Sequence, residues 1–113
     1  MVKVVLYQGW RPTPQTTAVV FSTIEYPNPS TVVFTEKFQP LPHIVRHSPD
    51  GFEWGYGGSG PTDLALAILT HHMGQAPDTG MVRDFTRHFV ANFPADWSLS
   101  NAVIDAWIQD AGS

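Results

Sequence analysis

No cysteine occurs among the 113 residues, so disulfides and thiolate chemistry are excluded, and any metal site would have to use histidine and carboxylate ligands. Charge is also sparse, at 14% of the chain, and the six basic residues, Lys3, Arg11, Lys37, Arg46, Arg83 and Arg87, are scattered along it. With a formal net charge of −4, nonspecific binding to a nucleic-acid backbone is not expected. No apolar run approaches the roughly 20 residues that span a bilayer. The opening residues 1–7 carry one lysine and a valine-rich run without a small-residue cleavage site, so they read as a strand and not as a signal. A cytoplasmic protein with no membrane role is the expectation. The length suits one core, and residues 1–113 are expected to form one domain.

Aromatics and chain punctuation are plentiful: four Trp, seven Phe, ten Pro and nine Gly. In the first half, residues 2–7, 18–24 and 31–38 are rich in β-branched and aromatic side chains and read as strands. Pro12 and Pro14 separate the first pair, Pro27 and Pro29 the second, since proline cannot donate to a ladder. The second and third runs are candidates for a hairpin. Residues 43–46, between Pro42 and Pro49, read as an edge strand or extended segment.

The second half turns helical. Pro61 suits the first helical position and Asp63 places a negative charge in the first turn. Leu64, Ala65, Leu66, Ala67, Ile68 and Leu69 are apolar around the whole circumference, which predicts a covered core helix. Gly74 suits its C′ position and Pro77 forbids continuation. A second helix is predicted over residues 79–93, with Val82, Phe85, Phe89, Val90 and Phe93 on one side and Arg83, Asp84, Arg87 and His88 on the other. Trp97 and residues 98–100 are expected to lead into a last helix carrying Val103, Ile104, Trp107 and Ile108. Strands followed by helices predict an α+β fold, a small antiparallel sheet from the N-terminal half packed against about three helices from the C-terminal half.

The stretch HSPDGFEWGYGGSGPTDLALAIL at residues 47–69 resembles the hallmark of domain-of-unknown-function family 6166. Tyr7, Gln8 and Gly9 with Arg11, and Trp97 to Ser100 ahead of a helix containing Trp107, extend the resemblance. It implies a small stand-alone domain of prokaryotes and their viruses, and it implies no catalytic residue, cofactor or substrate.

Function is therefore argued from side chains. Gly57, Gly58, Ser59 and Gly60 precede a helix start, where free amides and the helix dipole suit an anion. Phe52, Trp54 and Tyr56 alternate along an extended stretch and would share a face on which a nucleobase could stack. His47 and Glu53 would complete such a ligand site, and His47 with Glu53 or Asp50 would form an acid–base pair. Neither the Walker pattern nor the dinucleotide fingerprint is present, and no cofactor is implied. The plain alternative is that the glycines serve turn geometry and the aromatics seal the core. Ser59 lacks the final glycine of a nucleophile elbow. His43, His47, His71, His72 and His88 have no diagnostic metal spacing, so no metal site is assigned. Arg83 and Arg87, one turn apart, would grip a carboxylate or phosphate on a partner, or form a solvated face with Asp84. Trp10 with Pro12 and Pro14 reads as a recognition arm or a covered loop.

Two classes of function follow. One is a noncatalytic domain binding a small anion or nucleotide through the glycine- and aromatic-rich loop. The other is a protein-interaction module, such as a small viral or mobile-element inhibitor of a host complex. A small hydrolase-like enzyme stands third, because no complete set of nucleophile, base and orienting group can be named.

Overall fold

In the first strand, β1 (Val2–Thr13), side chains alternate so that Val5 and Tyr7 turn toward the helices while Leu6 and Gln8 turn away. The computed structural model describes residues 2–26, 38–43 and 51–111. Within them, β1, β2 (Thr16–Tyr26), β3 (Phe38–Pro40) and β4 (Trp97–Ser100) form one antiparallel sheet in the order β3-β2-β1-β4. Three helices follow from the second half, α1 (Ser59–Met73), α2 (Thr79–His88) and α3 (Asn101–Ala111), with a 3-10 turn at Val90–Asn92. The fold is α+β, as its sequence pattern implies.

The strands differ from the sequence expectation in three ways. First, β1 runs through Arg11 and Pro12, and the hairpin joins β1 to β2 across Pro14 and Gln15. The register is irregular between Trp10 and Thr13, which lets a residue without an N–H sit where the ladder is already interrupted. Thr13 and Thr16 close the turn with a 2.8 Å bond between hydroxyls. Second, only Phe38 of the expected strand 31–38 lies within the described residues, where it pairs with Ser22. Residues 44–46 of the segment 43–46 likewise lie outside them, and His43 is not in a strand. Third, Trp97–Ser100 is a strand and not merely a helix lead-in: Leu99 pairs with Tyr7 and Trp97 with Gly9. Trp97 and Leu99 are buried and Ser98 exposed, the period of two that a sheet imposes. Ser100 still serves the following helix, its Oγ accepting from Val103 N at 3.4 Å.

Helix α1 is the centre of the core. Leu64, Ile68 and Leu69 are fully buried together with Tyr7, Phe85, Val90 and Ile104. It ends as expected at Gly74, whose φ of 72° is left-handed and whose N–H donates to the Thr70 carbonyl. Its start lies at Ser59, so Asp63 falls beyond the first turn. Asp63 is buried and not at the solvent-facing helix end, and His43 Nε2 lies 3.1 Å from its carboxylate. A buried carboxylate without such partners would be strongly destabilising.

Helix α2 is capped by Asp78, whose carboxylate accepts from Met81 N at 2.7 Å. It stops at His88, short of the expected residue 93, and gives way to the 3-10 turn. Asn92 supplies the physical reason: its side-chain amide donates to the Arg87 carbonyl at 2.8 Å, satisfying a group the helix end leaves open. The break also turns the Val90 carbonyl toward Gly55 N, 2.9 Å away.

Candidate functional site

Residues 51–60 are braced from several elements. Thr17 Oγ1 on β2 donates to the Phe52 carbonyl at 2.8 Å. Arg11 on β1 reaches both oxygens of Glu53, at 2.7 and 3.3 Å. The bond to Glu53 holds the guanidinium pKa even above its ordinary value. The same guanidinium lies 4.7 Å from the centre of the Trp54 ring.

Phe52 and Trp54 face inward, and Trp54, only 2% exposed, meets Trp97 edge-on at 5.8 Å. Tyr56 is 51% exposed. The expected common aromatic face is therefore split. Gly55 causes the split, because its φ of 86° turns the chain between Trp54 and Tyr56 and breaks the two-residue alternation. Trp54 is a core residue that offers no face for stacking.

After Gly55 the chain exposes Tyr56, Gly57, Gly58 and Ser59 and enters α1. Gly58 precedes the helix in extended geometry, and no side chain caps the first turn. Thr62 Oγ1 donates to the Gly58 carbonyl at 2.6 Å, which fixes the turn on the helix. Gly60 is buried against Glu53, leaving no room for a side chain. It supports the turn from beneath.

Helix α2 packs against α1, and residues of both helices and of the turn line a cleft of about 310 Å³. Gly57 and Gly58 line it together with Arg83 and Arg87, and Leu66 and Val82 contribute apolar surface. The lining contains no Asp or Glu. Among the described residues, neither arginine is ion-paired. Two sets of residues that are far apart in sequence, the glycine turn and the arginine pair, thus meet in one recess. Thr62 and Leu66, one turn apart on α1, also line it. Their spacing puts them on one face, but the all-round apolar pattern of α1 hides which face is open.

The other candidate residues lie elsewhere. Glu53 borders a separate recess with His43 and Thr17. His47 and Asp50 lie outside the described residues. The described histidine–carboxylate contacts are His43 with Asp63 and His72 with Asp105, the latter at 2.7 Å. His71 pairs with the Tyr7 hydroxyl at 2.8 Å and packs on Phe21. Burial lowers the His71 pKa, with His72 and Lys3 adding to the effect. Burial likewise raises that of Tyr7, with Asp105 contributing. These contacts tie α1 to the sheet and to α3. Among the described residues, no group of three or more His, Asp or Glu could hold a metal. The exposed aromatics Trp10, Phe38 and Tyr56 sit on separate segments. No described helix is long and apolar enough to cross a membrane.

A family model described as "Family of unknown function (DUF6166)" matches residues 7–110. No curated protein and no solved structure matches the chain.

Proposed function

Because the chain belongs to that family, whose description assigns no activity, we propose a function from the cleft itself: noncatalytic binding of a small anionic molecule. The observation that carries this reading is that Arg83 and Arg87, without carboxylate partners among the described residues, line one largely apolar recess with Gly57 and Gly58, which lead into the uncapped start of α1. Guanidinium groups present forked donors suited to carboxylate and phosphate oxygens. The dipole at the start of α1 favours the same charge there, while Pro61 carries no N–H and the Thr62 N–H donates to the Gly58 carbonyl. Leu66 and Val82 would cover an apolar part of the ligand. The cleft offers no general base, since its lining holds no His, Asp, Glu or Lys. Its Thr62 and Thr86 hydroxyls donate to the carbonyls of Gly58 and Val82.

Isothermal titration of the full chain with adenosine monophosphate, inorganic phosphate and phenylacetate tests the proposal. Saturable binding to at least one anion is expected, weakening with salt. Replacing both Arg83 and Arg87 with Ala should lower the affinity by about a hundredfold or more, given roughly 1.5–3 kcal/mol for a hydrogen bond to a charged group. Since both arginines are exposed, the melting temperature should not move. Absence of heat and of thermal stabilisation with every anion would overturn the reading.

A further inference from the structure

Resting on that anion-binding reading, we infer that the cleft takes a compact phosphate monoester whose charged head meets the main chain at Gly57. The described glycines divide by the reason each lacks a side chain. Gly51, Gly55 and Gly74 have left-handed φ angles. Side chains at Gly9 and Gly60 would strike Trp97 and Glu53, one at Gly58 would crowd the Tyr56 ring, and one at Gly80 would lie 3.3 Å from the Asp78 carboxylate. Gly57 has neither reason: its φ lies outside the left-handed range, and a Cβ there would meet nothing within 4 Å. It nonetheless lines the cleft beside the start of α1. What a side chain at position 57 would remove is the close approach of another molecule to the backbone.

Charge and size narrow the class of that molecule. Two guanidinium groups and no acidic lining residue are matched by a phosphate monoester, which carries about −1.5 to −2 near neutrality, whereas a carboxylate leaves one positive charge unanswered. The volume of about 310 Å³ lies at the bottom of the roughly 300–1,000 Å³ common for ligand pockets. A phosphate with a small apolar body suits this space and the Leu66–Val82 surface; a dinucleotide does not.

The test titrates phenyl phosphate, phenylacetate and inorganic phosphate into the full-length protein and into Gly57→Val. Phenyl phosphate should bind the unsubstituted chain at least about tenfold more tightly than phenylacetate, the equivalent of roughly 1.4 kcal/mol. It should also bind more tightly than inorganic phosphate. Gly57→Val should keep the melting temperature while losing about tenfold or more in affinity for phenyl phosphate. Equal binding of phenylacetate would overturn the phosphate assignment and leave the anion site standing. Unchanged binding by Gly57→Val would overturn the main-chain approach. A lowered melting temperature would show that the fold itself needs glycine there, with the same consequence; Gly57→Ala repeats that comparison with the smallest side chain. Failure of all three probes on the unsubstituted protein would remove this inference, and silence with adenosine monophosphate as well would remove the reading beneath it.

Discussion

On its inner side the turn at residues 51–60 is held by neighbours, and on its outer side it faces a recess. Inside, Arg11 grips Glu53, Gly55 N–H donates to Val90, Gly60 passes over Glu53, and Trp54 meets Trp97. Outside, Gly57 has open space about its Cα, α1 begins without a side-chain cap, and the two arginines of α2 stand exposed. Glycine thus has two uses within one short segment: at Gly60 it admits the protein's own side chain, and at Gly57 the protein fills nothing. A surface held from behind loses little freedom when a ligand arrives, the condition for preorganised binding.

Substitutions at the glycines and around α1 give ways to sharpen or break this contrast. The largest expected effect is at Gly9, where any side chain collides with the Trp97 indole. Gly9→Val should cost about 3 kcal/mol by forcing a buried ring from its packing, read as a lower urea midpoint. A loss near zero would mean that Trp97 is not fixed over β1. Gly60→Ala should cost about 2 kcal/mol, because a Cβ there would lie 2.8 Å from Glu53 Cβ. The same denaturation curve measures it, and wild-type stability would undo the claim that the turn is fixed from beneath.

Tyr7→Phe removes the bond to His71 and should cost about 1 kcal/mol near neutral pH. That pair also contributes to how stability depends on pH. The depressed His71 pKa means that the unfolded chain takes up a proton first, so stability is present above about pH 6.5 and falls as pH drops below it. The raised Tyr7 pKa has the opposite sense: stability is present below about pH 10 and falls as pH rises above it. Melting temperatures measured across pH should show His71→Gln flattening the acidic limb and Tyr7→Phe the alkaline one. Parallel curves for wild type and variants would contradict these roles.

Gly57→Ala should have the smallest effect, within about 0.5 kcal/mol of wild type. A loss comparable to that at Gly60 would erase the distinction between the two sides of the turn.

The core helix was legible because each of its signals is local: Leu64 to Leu69 are apolar all round, and Gly74 stands where a left-handed residue ends the helix. Strand β4 was not. Four residues, Trp97–Ser100, become a strand only because β1 lies beside them, and Ser100 sends a helix-capping signal of its own. Alternation from Phe52 to Tyr56 failed as a guide because Gly55 adopts a conformation that its neighbours do not announce. Gly57 and Arg83 could each be marked as candidates from sequence. Their meeting depends on how α1 packs against α2, a tertiary relation that neither local pattern contains.

Titration of isotopically labelled protein with phenyl phosphate, followed by nuclear magnetic resonance, observes the turn and α2 at once. The backbone amides of Gly57 and Gly58 and the side-chain Nε–H signals of Arg83 and Arg87 should move together and saturate along one binding curve. Signals that stay fixed at these four residues while the phosphate ester is raised to excess, or shifts confined to other parts of the chain, would contradict an anion site between the turn and α2.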